Sequence, residues 1–248
     1  MTIQNGPRMP VLPWRFFKNR VMISIILVMA LVGGPMSVTT FQQPQRFQLV
    51  NGLSSLDAGI RLLPFGALFP VGSMIGTRAC SAFKIPSIYL ILLGSALQVV
   101  GFALLSTLSA STHVENAVYG YLVICGLGCG MTFIMAYISI PFAVDERDKA
   151  VGMAAGNQFR TMGSAIGLAI AASVFNGYTL SRLASIGVND PTSQLIAGSQ
   201  ALDIALKEEA RRILSIGYNR QMLVLSGFSA LQIPTALMMW KREQIIPS

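Results

Sequence analysis

Three side chains in an otherwise apolar stretch can do chemistry that an oily helix cannot. Residues 150 to 175 read AVGMAAGNQFRTMGSAIGLAIAASVF, and within them Asn157, Gln158 and Arg160 supply two amides and a full positive charge. A guanidinium presents five N–H donors in a planar fork suited to carboxylates, phosphates and carbonyl oxygens, and Asn157, three residues earlier, shares its helical face. Such a group can bind a solute or take part in ion coupling. It can equally reach the backbone carbonyls of a neighbouring helix and lock the two together. Both roles are open on this reading. An arginine at the centre of a membrane helix costs about 2.5–3.5 kcal/mol on insertion scales, so it persists where it has partners or work.

A second charged pair, Asp57 and Arg61, stands four residues apart after a polar stretch, FQQPQRFQLVNGLSS. An acid in the first turn of a helix favours the dipole, and the pair adds a few tenths of a kcal/mol. An outer gate is the alternative role. Enzymatic chemistry has little to stand on: His113 is the sole histidine, HExxH and GxSxG are absent, and no acid lies deep in an apolar run. The sequence therefore predicts no catalytic residue, no metal and no cofactor. Cys125 and Cys129, four apart with no histidine or carboxylate beside them, read as small packing residues, and no disulfide is expected.

The elements that must position these groups are set by composition. Of 248 residues 53% are hydrophobic and 11% charged, against about 25% charged in soluble domains, too few to clothe a water-facing surface. The expected fold class is an all-α integral membrane protein with six transmembrane helices at about 21–41, 59–76, 88–108, 117–142, 150–175 and 222–240. Each run holds roughly 18 to 26 residues, near the ~20 that cross a ~30 Å hydrocarbon core, and lipid leaves helices as the only outlet for such unalternating runs. The second run contains Pro64 and Pro70, which predict a bend. The basic start followed by the first run fits a retained signal anchor better than a cleaved signal peptide.

Arg8, Arg15, Lys18, Arg20, Arg78, Lys84, Arg147, Lys149, Lys241 and Arg242 all fall on one side of that topology, which places both termini in the cytosol. Segment 1–20 and tail 241–248 are then cytosolic, and 177–221 is an outer amphipathic loop. Within it Leu202, Leu206, Ala210, Ile213 and Leu214 form one stripe, which reads as an interfacial helix, with a substrate-capturing lid as the alternative. The net charge of +8 is topology charge, scattered in ones and twos at the ends of runs, and gives no nucleic-acid surface.

Glycines show where helices meet. Gly152, Gly156, Gly163 and Gly167 make two GxxxG pairs on one face of the fifth run, close to Arg160, and Gly126 and Gly130 make another in the fourth. GYLVICGLGCGM looks like a phosphate loop only superficially, because no strand precedes it and it lies within an apolar 26-mer.

The segments FFKNR, FQQPQRFQLVNGLSSLDAGIRLLPF, VDERDKAVGMAAGNQFRTMGSAIGLAI and GYNRQMLVLSGFSALQIP together resemble the carboxy-terminal half of fungal major facilitator transporters of the fourteen-span drug:proton antiporter type. The resemblance runs from about Pro13 to Trp240. It implies one six-helix half of a two-bundle fold, a small-molecule substrate, protons as the coupling ion, and a lipid bilayer as surroundings, with the plasma membrane as the family default and the vacuolar membrane as its rival. It also implies a partner, either an amino-terminal transporter half or a second copy, without which the bundle is expected to be inactive. A fragment of an efflux pump, a self-pairing half and a non-transporting membrane protein are the three readings. Arg46 departs from the family pattern, in which apolar or aromatic residues stand near that FQ.

Overall fold

A computed structural model describes residues 14–110, 114–186 and 204–240, and every regular element among them is helical. Six α-helices occur there: α1 (Arg20–Leu49), α2 (Ser55–Phe83), α3 (Ser87–Leu105), α4 (Ala117–Ala143), α5 (Lys149–Ser185) and α6 (Ile204–Leu237), with 3₁₀ turns at Trp14–Phe17 and Glu146–Asp148. α1 to α5, the last with its preceding turn, are long and apolar enough to cross a membrane. α6 carries Lys207, Glu208, Glu209, Arg211, Arg212 and Arg220 before it turns apolar at Met222. The chain is an all-α, multi-pass integral membrane protein.

Capping explains where several helices begin and end. Asn19 accepts from the Val21 amide at 3.1 Å and donates Nδ2 to the Ala143 carbonyl at 2.6 Å, tying the start of α1 to the end of α4. The Ser54 hydroxyl caps α2 by accepting from the Asp57 amide, and Lys84, with φ 52°, ends it in the left-handed conformation. α1 runs through Pro35 and Pro44, and α2 through Pro64 and Pro70, as continuous helices.

The helices extend past the apolar runs, with consequences for two expected loops. α1 continues to Leu49, so FQQPQRFQL is helix and only a short turn leads to α2. The extension is held by burial: Gln43 and Phe47 lie within the bundle, and Val50 packs with Tyr218 beyond it. At the same end α5 runs on to Ser185 and α6 has begun by Ile204, so both ends of the expected outer loop 177–221 are helix. Ala210, Ile213, Leu214 and Tyr218 bury themselves against Val50, Tyr178 and Leu183. The Ala210, Ile213 and Leu214 part of that stripe therefore packs on α5 and the end of α1, where an interfacial helix was expected to lie on lipid, while Leu206 stays exposed. A 34-residue helix is ~51 Å long, which exceeds a ~30 Å core and leaves room for its charged half beyond that core. Leu202, His113, segment 187–203, most of segment 1–20 and tail 241–248 lie outside the described residues.

Most of the pairing is symmetric under exchange of α1 with α4, α2 with α5 and α3 with α6, the exception being that α5 packs on α6 where α2 and α3 barely touch. α1 packs on α5 as α4 packs on α2, α1 meets α6 as α4 meets α3, and the mates α1 and α4, like α3 and α6, touch each other. Two apolar clusters fill the interior, one around Met29, Ile91 and Met135, the other around Phe102, Cys125 and Leu225. Between them lies a buried polar layer. Gln98 Nε2 donates to the Gly128 carbonyl, Thr132 Oγ1 and Gln232 Oε1 at 3.2, 2.9 and 3.2 Å, Gln232 Nε2 returns a bond to Gln98 Oε1 at 3.2 Å, and Ser95 donates to Gln232 Oε1 at 3.0 Å. Cys125 and Cys129 are free thiols buried in the second apolar cluster.

Candidate functional site

Arg160 sits about eleven residues into the 37-residue α5, or ~16 Å along it at 1.5 Å per residue, which is about half of a ~30 Å hydrocarbon core where that core begins at the start of the helix. Its guanidinium donates through Nε and Nη2 to Asn157 Oδ1 at 3.3 and 3.1 Å, so the amide holds two of its donors in one fork. Its Cζ lies 5.7 Å from the centroid of Phe133 on α4, within the ~6 Å reach of a cation–π contact. Phe133 stacks on Tyr137 at 5.9 Å and meets Phe69 of α2 at 5.8 Å. Three helices thus contribute to one half-buried cluster of three aromatic rings and one cation. Asn157, Thr161 and Gln158 continue the polar surface on the exposed side of α5, and Gln158 joins none of these contacts. Exposed polar groups at mid-membrane are out of place against lipid and belong against protein or a watery path.

Glycine contacts fix the height of this cluster. A Cβ on Gly163 would lie 1.9 Å from the Ala30 carbonyl oxygen, one on Gly33 would lie 2.2 Å from that of Arg160, and one on Gly167 would lie 2.5 Å from Gly34 Cα. α1 and α5 therefore touch backbone to backbone, and Ser164 Oγ reinforces them by donating to the Gly33 carbonyl at 3.1 Å. Gly152 and Gly156 face the Ile140 side chain of α4 instead. The four glycines expected to share one contact serve two neighbours, and the Arg160 backbone abuts α1 while its side chain leans towards α4. Gly126 and Gly130 do for α4 and α2 what Gly163 does for α5 and α1, meeting the Phe65 and Phe69 carbonyls at 2.6 and 1.9 Å.

Asp57 and Arg61 are far from this cluster, at the opposite end of α2 from its cytosol-facing turn on the expected topology. Asp57 accepts from the Ser54 hydroxyl at 2.6 Å, a helix cap, whereas Arg61 reaches across to donate to the Tyr119 hydroxyl on α4. Arg46 is 3% exposed and donates Nη2 to Ser215 Oγ at 3.5 Å, while its Nη1 has no hydrogen-bond partner. Phe69, Phe133 and Tyr137 were not singled out from sequence. Aromatics in apolar runs are common, and only their alignment across α2 and α4 makes them a site.

Residues 3–168 match the domain described as Major Facilitator Superfamily. The chain belongs to that superfamily. It is 31% identical over 243 residues to the MFS-type transporter FPY5 of Fusarium mangiferae, covering 97% of this chain and 41% of that protein. It is 28% identical over 207 residues to the efflux pump DEP3 of Alternaria brassicicola (82% and 36%) and 26% identical over 249 residues to the MFS-type transporter patC of Penicillium expansum (93% and 44%). The chain therefore spans about two fifths of the length of these relatives. A major facilitator half is built from two inverted three-helix repeats, and the exchange symmetry of α1–α3 with α4–α6 has that form.

Proposed function

We propose that this bundle forms the carboxy-terminal half of a proton-coupled exporter of small organic molecules, of the fourteen-span drug:proton antiporter kind, and that Arg160 contacts the substrate. The observation that carries the reading is the guanidinium held by Asn157 over Phe133 on the exposed side of α5, with Tyr137 and Phe69 beside it. Rings of this kind take up planar apolar surface, and the donors left free on the fork take a carbonyl or acidic oxygen. The exposed faces of α2 and α5, which flank the cluster, are the surfaces against which a second bundle rocks in alternating access. On this reading the chain alone does not pump.

The membrane is the plasma membrane, with the α1 start and α6 end cytosolic. The supporting charge lies in the short connections: Lys84 between α2 and α3 and Arg147 between α4 and α5, against no lysine or arginine in 50–54 and 106–116. The test joins the chain to a matching amino-terminal bundle and compares Arg160→Lys and Arg160→Ala for dye efflux and membrane abundance. Substrate contact requires normal abundance in both, transport lost in the alanine variant and weakened or altered in the lysine variant, which keeps charge but not the fork. Loss of folded protein in step with activity makes Arg160 a helix lock. Efflux by the chain expressed alone favours a self-pairing half.

A further inference from the structure

The end of the bundle where α5 and α6 outrun the membrane carries a second concentration of charge that the transport reading leaves unused. Tyr178 of α5, 8% exposed, meets two guanidiniums: Cζ of Arg182 lies 4.1 Å and Cζ of Arg220 lies 4.0 Å from its ring centroid. Arg182 Nη1 also donates to the Tyr178 hydroxyl. Beside this ring opens a cleft of about 360 Å³ between α5 and α6, lined by Tyr178, Arg182, Glu209 and Arg212, with Ile213 and Ile216 as its apolar side. That volume falls in the ~300–1,000 Å³ range of small-ligand sites. Two guanidiniums, Arg182 and Arg212, and one carboxylate, Glu209, line the cleft, with Arg220 against the Tyr178 ring outside it, and among the described residues none of the three arginines forms an ion pair.

Positive charge gathered without equal counter-charge sustains a potential that draws anions. Arginine is the side chain whose fork fits phosphate oxygens two at a time, and a guanidinium held against a ring keeps its N–H donors at its edge. We propose that this cleft binds a phosphate-type anion, either the headgroup of an anionic phospholipid or free phosphate. Arg182 and Arg212 contact it from the two helices, and Arg220 braces Tyr178 from outside the cleft. Glu209, three residues before Arg212 and lining the same cleft, is the competing acceptor.

The full chain, purified in uncharged detergent, is titrated with inorganic phosphate against chloride at constant ionic strength, with the thermal midpoint as readout. In parallel it is placed in phosphatidylcholine nanodiscs with and without phosphatidic acid, and the lipid retained on re-extraction is counted. Saturable stabilisation by phosphate identifies free anion as the ligand. Retention of phosphatidic acid without a response to phosphate identifies the headgroup. The double variant Arg182→Gln/Arg212→Gln should bind roughly tenfold more weakly or worse, the factor of one charge-assisted contact. Glu209→Gln should bind more tightly, and Arg78→Gln, at the other end of the bundle, should be unchanged. Equal binding by wild type and double variant, or equal loss in Arg78→Gln, overturns the proposal. If the double variant does not fold, Glu209→Gln and Arg182→Lys decide alone, and no change in either overturns it.

Discussion

A methyl group on Gly163 has nowhere to go. Its Cβ would lie 1.9 Å from the Ala30 carbonyl oxygen and 2.7 Å from Ala30 Cα, where ordinary contact begins at 3.4 Å, so α1 and α5 must part by about 1.5 Å. The obstacle is backbone, and no rotamer change relieves it. Overpacking costs about 1–3 kcal/mol, here at the upper end. The separation also stretches the Ser164 Oγ bond to Gly33, now 3.1 Å, past hydrogen-bonding range, for about 0.6 kcal/mol more in a membrane interior. Alanine returns up to ~1 kcal/mol of helix propensity. The net loss in Gly163→Ala is about 2–3 kcal/mol. Gly156→Ala meets only the mobile Ile140 Cδ1, at 2.5 Å, and should cost less than ~1 kcal/mol; Gly177→Ala, with nothing within 4 Å, should be neutral or stabilising. Reversible unfolding in mixed micelles, followed by circular dichroism, ranks the three on one helix. If Gly163→Ala proves as stable as either control, the backbone contact between α1 and α5 is not there.

By the internal symmetry Gly130→Ala, 1.9 Å from the Phe69 carbonyl, should lose about as much as Gly163→Ala in the same unfolding assay. Gln98→Leu should cost about 1–3 kcal/mol because it leaves Nε2 of the fully buried Gln232 without its acceptor, whereas Gln98→Leu/Gln232→Leu should recover much of that; additive losses in the double-mutant cycle would show that the two amides do not bond. With the native cysteines removed, single cysteines replacing exposed Ser109 and Ser185 should react with an impermeant maleimide from outside intact cells, and one replacing Ser81 only after permeabilisation. Labelling at Ser81 in intact cells would reverse the topology.

What could be read from sequence follows from what is local. Apolar runs announce helices because a span is one continuous stretch, and GxxxG spacing announces close approach because both glycines lie on one chain. The partners were not legible. Gly163 finds Ala30 more than a hundred residues away, and nothing in MGSAIG distinguishes a contact with α1 from the α4 contact that Gly156 makes. The polar layer was missed for the same reason: Gln98, Thr132 and Gln232 are isolated polar residues in apolar runs, and only the meeting of α3, α4 and α6 turns them into a satisfied network. The expected spans 21–41 and 59–76 leave Arg46 between helices because the first apolar run ends near Phe41, yet tertiary packing carries the helix on for two more turns and buries the arginine at 3% exposure.

Stability and the candidate site meet in one contact. The Arg160 carbonyl is the atom that a Cβ on Gly33 would strike, at 2.2 Å, so the height and tilt of the guanidinium are set by how closely α5 lies on α1. Its distance to the Phe133 ring, 5.7 Å, is already near the ~6 Å limit at which a cation feels the ring. Displacing α5 by about 1 Å, which Gly33→Ala demands, is enough to uncouple the two while leaving Asn157, three residues away on the same helix, still bound to Arg160. In the rebuilt two-bundle transporter, Gly33→Ala should therefore lower transport per folded molecule as well as the number of folded molecules. Gly156→Ala serves as the comparison, since its methyl presses only on a side chain. Equal activity per folded molecule in Gly33→Ala and wild type would show that the register of α1 and α5 does not place the guanidinium, and that Arg160 works, if it works at all, without Phe133.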